Sequence, residues 1–290
     1  MHRTVSILLL ALPAFGQSPF SWKDPGGGRV ELSEGGKPTL VYNYGPQWKQ
    51  GAPEDRRRCC YIFPVYTPAG VSMLDDFPQD HWHHRGLFWS WPVVEVGGKK
   101  YDIWMTFTAK HRSEKPPVTS GGTLRAENFW EAGGKDIVKE DLRLTVLPVR
   151  ANVREIDVEL TWEALGAPVT LRGSAEAGKS YGGLSARFAA REGTTLRADG
   201  EVLKKDEDLT AADHAGCQES RCSIPVVLAR IWLCGGFVPG AHGDGGGTYA
   251  RTRQAADPEV PGAGKGCDVG ESERRSDAQG GALCHLIPAD

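Results

Sequence analysis

Glu155-Ile156-Asp157-Val158-Glu159-Leu160-Thr161-Trp162 alternates polar with aliphatic or aromatic residues at every step. That period of two is the mark of a strand with one face buried and one face in water. Working outward from it, the chain breaks into similar short runs. Thr123 to Trp130 and Asp141 to Val149 flank Gly133-Gly134, a hairpin-turn pair. Arg29 to Ser33, Pro38 to Tyr44, Cys60 to Tyr66 and Val71 to Leu74 precede them, separated by Gly35-Gly36 and a Thr67-Pro68-Ala69-Gly70 turn. Gly86 to Val94 is dense in aromatic and β-branched residues, and Tyr101 to Thr108 is expected to pair with it across Gly97-Gly98. Val169 to Gly173 and Leu184 to Ala189 follow, then a turn at Ala198-Asp199-Gly200. No amphipathic helix precedes residue 205. About ten short strands with regular turn signals predict an all-β, antiparallel β-sandwich. An α/β fold would need helices between the strands.

The 290 residues are enough for one large domain or two ordinary ones. A net charge of -3 leaves no basic footprint, so nucleic acid is not an expected partner. His2 and Arg3 precede an apolar run from Val5 to Leu12, and Ala14-Phe15-Gly16 puts small residues before Gln17. This pattern predicts a signal peptide over residues 1–16 and an exported, periplasmic or extracellular protein. The apolar run is shorter than the roughly 20 residues a membrane-spanning helix needs, so no span is expected in the mature chain.

Residues 17–209 carry the strand pattern. After Leu209 the alternation stops. Of seven cysteines, two lie in the first 216 residues and five in the remaining 74. Ile224 to Phe237 is apolar enough for one or two strands, with nothing after it to pair with them. Two readings fit residues 210–290: an irregular tail out of frame with its ancestral gene, or a disordered, loop-rich C-terminus. No cysteine spacing matches a paired zinc motif. No disulfide framework is expected, since Cys59 and Cys60 are neighbours.

Asp75 to Trp91 reads DDFPQDHWHHRGLFWSW and holds three of the chain's eight histidines. Histidine titrates nearest neutral pH and is the common proton shuttle and metal ligand. Phe77-Pro78 and Arg85-Gly86 argue for a loop entering a strand, where sites are commonly carried. On an extended backbone His81 and His83 would share one face, with Trp82 and His84 on the other. Three readings stand. His81 or His83 is a general acid–base oriented by Asp80 or Asp76. Alternatively, His81 and His83 join a further ligand on a divalent metal. In the third, the histidines are packing residues of an aromatic core. No cofactor is firmly expected.

Candidate substrate contacts are His84, Arg85, Tyr181, Trp82 and Lys179. Arg85 offers a rigid fork of donors to a carboxylate or polyol, or a structural ion pair to Asp75, Asp76 or Asp80. Trp82, Trp89 and Trp91 offer flat faces for a sugar ring, or for the core. Gly178 to Leu184 reads GKSYGGL. Its glycines allow close backbone approach, and the spacing is not that of a P-loop.

Tyr66-x-Pro68-x-Gly70, Asp76-Phe77-Pro78-x-Asp80-His81-x-His83-His84-Arg85-Gly86-Leu87, Tyr181-Gly182-Gly183-Leu184-x-x-Arg187-Phe188 and Asp206-Glu207-Asp208-Leu209 resemble the DUF6807 family of exported bacterial proteins. That family is often labelled "methane oxygenase PmoA". The resemblance covers about residues 25–209. It implies a sandwich of the galactose-mutarotase type and a carbohydrate setting, with a carbohydrate as the partner. It does not imply one activity. The label itself fits poorly, because a methane monooxygenase subunit crosses the membrane several times and this chain has no span after its leader. The expectation is an exported carbohydrate-active enzyme using histidine acid–base chemistry, as hydrolase, lyase or epimerase. The alternatives are a sugar-binding module or a metal-dependent oxidoreductase.

Overall fold

A computed structural model describes residues 18–174 and 181–189, and five further strand segments between 197 and 286. The predicted leader and Lys179 lie outside the described residues. The first strands are β1 (Phe20–Lys23), β2 (Arg29–Glu34), β3 (Lys37–Asn43), β4 (Tyr61–Val65) and β5 (Leu87–Ser90). Next come β6 (Val93–Val96), β7 (Lys99–Tyr101), β8 (Ala109–Ser113), β9 (Val118–Ser120), β10 (Thr123–Ala132), β11 (Lys135–Val146) and β12 (Val153–Ala164). The last are β13 (Val169–Arg172), β14 (Gly183–Ala186), β15 (Arg197–Ala198), β16 (Glu201–Val202), β17 (Val227–Cys234), β18 (Tyr249–Arg253) and β19 (Leu283–Leu286). A 3-10 turn at Glu54–Arg56 is the helical element among the described residues. No described helix is long and apolar enough to cross a membrane.

The protein is an all-β sandwich of antiparallel sheets. The first sheet runs β1-β2-β3-β4-β5-β14, and the second β18-β17-β12-β11-β10-β8, with β9 also on β10. A third, β19-β13-β6-β7, continues the core. The run from Glu155 to Trp162 lies within β12. Its inward residues Ile156, Val158, Leu160 and Trp162 are buried, as the alternation predicts. Each such burial contributes about 1.5–3 kcal/mol. The β10–β11 hairpin turns at Gly133 and Gly134, with φ of 59° and 75°.

Two expected elements differ. Gly86 to Val94 is not one strand. Trp91-Pro92 breaks it, because proline has no N–H to give a ladder, and the chain passes from the first sheet into the third. Nor is Tyr101 to Thr108 a strand beyond Tyr101. The Asp102 side chain accepts the Met105 N–H at 2.7 Å, and Thr108 Oγ1 accepts the Asp102 N–H at 2.7 Å. Such side-chain bonds compete with the ladder and fold the segment into a loop.

Beyond residue 209, Ile224 to Phe237 does contain a strand, and its partners are present. β17 pairs with β12 and with β18, and β19 pairs with β13. These three segments are sheet rather than irregular chain. The rest of residues 210–290 lies outside the described residues.

Glu140 is fully buried on β11. Its register neighbours are Asn128 on β10 and Trp162 on β12. One carboxylate oxygen, Oε2, accepts the indole N–H of Trp89 at 2.7 Å, and those of Trp130 and Trp162 at 2.9 Å each. The other accepts Asn128 Nδ2 at 2.9 Å. Asn128 also donates to the Tyr42 hydroxyl at 3.0 Å. Trp89 and Tyr42 belong to the first sheet, so this carboxylate fastens the two faces of the sandwich. Burial pushes the Glu140 carboxyl above its ordinary range, and the four donors oppose that shift. Replacing Glu140 with leucine strands three buried indole donors. Glu140→Leu should therefore lower unfolding stability by about 3–5 kcal/mol, and Glu140→Gln by about 1–3 kcal/mol. Urea midpoints read both; an unchanged midpoint in Glu140→Leu would contradict the fastening role.

Candidate functional site

The Asp75–Arg85 loop is built from tight turns, not an extended strand. His81 N donates to Pro78 O at 3.0 Å, and His84 N to His81 O at 2.9 Å. Phe77 N closes the loop on His84 O at 3.4 Å. Phe77 has a φ of 53°, an unfavourable conformation for a bulky residue. Gly86 ends the loop. A Cβ there would run into the Ile62 carbonyl oxygen and the Phe63 side chain, so no larger residue fits against β4.

Because the backbone turns twice, all three histidines gather on one side. The His81 and His84 rings stack, 4.7 Å apart at 10°. His83 meets His84 edge-on at 4.4 Å and lies 5.6 Å from His81. The alternation of faces expected for an extended backbone is thereby corrected. Beneath them lies Trp104, 6.2 Å from His83 and 5.7 Å from His84. Tyr181 packs on the same indole at 4.9 Å and is 40% exposed. Gly182 lets this segment close. A Cβ there would lie 3.3 Å from Gly173 Cα and from Trp91.

Asp80 and His81 form an exposed dyad. Asp80 Oδ2 lies 2.9 Å from His81 Nδ1. Arg187 Nη2 donates to both Asp80 oxygens, at 3.0 and 2.8 Å. The backbone of Arg187 is bracketed by the two ends of the loop. Its carbonyl accepts Asp75 N at 2.9 Å, and its N–H donates to Gly86 O at 2.8 Å. The His81 and Arg187 hydrogen bonds hold the Asp80 carboxyl down at about 2. A carboxylate on Nδ1 fixes the tautomer that leaves Nε2 to take or give a proton. Burial, then the neighbouring imidazoles and Arg58, lower His83 to about 3. Burial and His81 lower His84 to about 4. Both are therefore neutral near pH 7.

Arg85 is not at the surface. It is fully buried, and it donates to the carbonyls of Arg56 and Trp82. Its Nη1 lies 3.7 Å from Asp76 Oδ1, and its guanidinium sits over the Phe77 ring. Of the two roles weighed for it, the structure gives the ion pair with Asp76 and corrects the substrate contact. Arg58, also buried, donates to His83 O at 3.3 Å and ties the loop to Ser90, Ile103 and Trp104. Trp89 and Trp91 face the core, Trp89 on Glu140 and Trp91 against Trp130 at 5.4 Å. Trp82 is half-buried, tied to the site by its carbonyl. Trp104 and Arg187 were not among the sequence candidates. Arg187 stands in the Tyr181-to-Phe188 motif, which was the available signal. Among the described residues no group of three or more His, Cys, Asp or Glu could hold a metal ion.

Folded-state values of about 3 and 4, against an ordinary 6.5, give the histidines a signed effect. Their contribution to stability is complete above about pH 6.5. It is lost as pH falls towards 4 and 3, because the unfolded chain takes up protons that the native rings refuse. Asp76 acts oppositely. Raised to about 6 by burial, it loses its contribution as pH rises through that value. A His83→Gln/His84→Gln variant should lose less stability than the parent between pH 6.5 and 4, measured by urea midpoints at each pH. An equal loss would contradict their buried neutral state. Arg85→Met should cost about 3–5 kcal/mol by leaving Asp76 buried and unpaired; a midpoint shift under 1 kcal/mol would return Arg85 to a surface role.

No curated protein and no solved structure matches the chain. A family profile does, over residues 29–221, which takes in every strand from β2 to β14 and the whole histidine loop. The chain belongs to the family of unknown function DUF6807.

Proposed function

We propose that this chain is an exported, carbohydrate-active enzyme in which His81 is the general acid–base. The observation that supports this most is the Arg187–Asp80–His81 series, with one imidazole nitrogen held by a carboxylate and the ring at the surface. Asp80 orients the ring, so that Nε2 is left to accept a proton and return it. Arg187 is a positioning residue that keeps Asp80 ionised and aimed. His83 and His84 add polar atoms without adding positive charge. Tyr181, 40% exposed and packed on the buried Trp104, supplies the aromatic face that suits the apolar side of a sugar ring. A carbohydrate substrate also agrees with the setting that the family resemblance implies.

Hydrolysis, elimination and epimerisation of a sugar all require a proton to be moved at an oxygen or an acidic carbon. A positioned imidazole typically contributes about 10²–10⁴-fold to such a step.

The test is a turnover screen of the full-length protein on glycosides, oxidised sugars and uronates. With an active substrate in hand, His81→Ala should lower kcat by about 10²–10⁴-fold with little change in substrate affinity. Asp80→Asn should lower kcat less and displace the pH profile, because it disturbs the tautomer rather than removing the ring. Turnover undiminished in His81→Ala would sink the assignment. Saccharide binding without turnover, unaffected by loss of His81, would favour a sugar-binding module built on Tyr181.

A further inference from the structure

Cys59 and Cys60 stand immediately before β4, and both are buried, 2% exposed each. Their thiols are free and in contact. Cys60 Sγ donates to Cys59 Sγ at 3.3 Å, and Cys59 Sγ donates to the His111 carbonyl at 3.0 Å. Cys60 has a φ of 61°. That left-handed conformation is uncommon for a residue with a side chain and ordinarily goes to glycine. The fold holds it from outside the pair, because Cys60 N donates to Asn43 O on β3 at 2.6 Å. Arg58, just before the pair, holds the His83 carbonyl, and Tyr61, just after it, meets Asp76. The two thiols therefore sit at the foot of the histidine loop.

Adjacent cysteines seldom bridge, for a geometric reason. Their Cα atoms are about 3.8 Å apart, whereas common disulfides span about 4.4–6.8 Å. A bridge between neighbours closes a small ring and needs an uncommon backbone at one of them. Cys60 is already in one, with its sulfur resting on that of Cys59. Core filling alone does not call for a cysteine at a positive φ, where glycine is unstrained. We propose that Cys59 and Cys60 are a dithiol–disulfide site, closed to a vicinal bridge by thiol–disulfide exchange while the chain folds and before β4 is buried.

The oxidant is a disulfide of the kind found outside the reducing interior of a cell, oxidised glutathione or a dithiol oxidase. One cysteine thiolate attacks a sulfur of the oxidant and forms a mixed disulfide, and the neighbouring thiolate then displaces the second oxidant thiol. The two protein thiols lose two protons and two electrons between them. One S–S bond forms in the protein, and that of the oxidant is reduced to two thiols. Exchange needs a thiolate. Burial pushes the Cys60 thiol well above its ordinary range, so the packed protein offers little attacking group there. This sets the order, oxidation first and burial second. A ring so short removes little chain entropy, since that gain grows with loop length. The bridge is therefore not a staple, and its short span makes it more easily reduced than a common disulfide. Supply of the oxidant rests on the export proposed above; the pairing itself rests neither on export nor on His81.

Trypsin cuts after Arg58 and Arg85, and the peptide 59–85 holds no cysteine besides these two. Full-length protein, reduced and unfolded in urea, is refolded in a buffer of reduced and oxidised glutathione. It is then alkylated in denaturant, digested and weighed by mass spectrometry. The 59–85 peptide should come back two hydrogens lighter than the dithiol and with both alkylation sites lost, and dithiothreitol should restore both. Folded, reduced protein placed in the same buffer should stay doubly alkylated. Protein from the exported fraction of an expressing bacterium should give the light peptide. A doubly alkylated peptide after refolding or in the exported protein would overturn the pairing. So would a glutathione adduct as the end product, or a link to Cys217 or a later cysteine. Oxidation of the folded protein as fast as during refolding would overturn the order. Absence of the protein from the exported fraction counts against export alone, and the refolding result then decides the site.

Discussion

The Glu140 carboxylate is the interaction on which the rest of the sandwich depends. An ionised carboxylate in an apolar core is expensive, and it persists where several donors surround it. Here the donors come from both layers, Trp89 in the first sheet and Asn128, Trp130 and Trp162 in the second. Hydrophobic packing alone would tolerate a slide of one layer over the other. The two directed hydrogen bonds that cross between the layers, Trp89 to Glu140 and Asn128 to the Tyr42 hydroxyl, do not. A slide would leave the Trp89 indole N–H unpaired, a loss worth about 1–3 kcal/mol. The carboxylate therefore adds register to a contact that aliphatic side chains supply only with affinity.

That fastening reaches the outer surface through one strand. β5 places Trp89 on Glu140 and Phe88 on the opposite side, packed 5.2 Å from Trp104. Trp104 in turn lies under His83 and His84 and against Tyr181. Arg58 and Arg85 pin the loop from below by hydrogen bonds to backbone carbonyls. The histidines thus stand on a layer as well held as the core, although they sit on a loop.

Much of the fold was legible because one face of each strand must be dry. Glu155 to Trp162 declares its inward side at every second residue, and the double glycines declare their turns. The break at Trp91-Pro92 was less evident, since aromatic residues flank it and only the missing proline N–H marks it. The loop after Tyr101 was hidden because Asp102 and Thr108 act through side-chain bonds that have no period. Glu140 stands just before the expected run from Asp141 to Val149 and nothing local marks it; its role comes from three tryptophans on three other strands. At the site, the Asp80-to-Arg85 run pointed to the place, and Asp80 beside His81 was readable as an orienting pair. What the run could not reveal was depth. Arg85 and His81 are four residues apart, yet one is fully buried and the other exposed. Trp104 joins the cluster through tertiary contacts that no local pattern announces, whereas Arg187 stands in the Tyr181-to-Phe188 motif, which shows the residue but not the Asp80 carboxylate it meets.

The central claim is that Asp80 holds His81 in one tautomer while its two neighbours stay neutral. Nitrogen-15 NMR of the histidine side chains at pH 7 and pH 5 reads this directly. The account predicts, at pH 7, His81 protonated on Nδ1 with Nε2 available, and His83 and His84 neutral at both pH values. A His81 bearing its proton on Nε2 alone, or His83 and His84 charging near the ordinary value of 6.5, would contradict it.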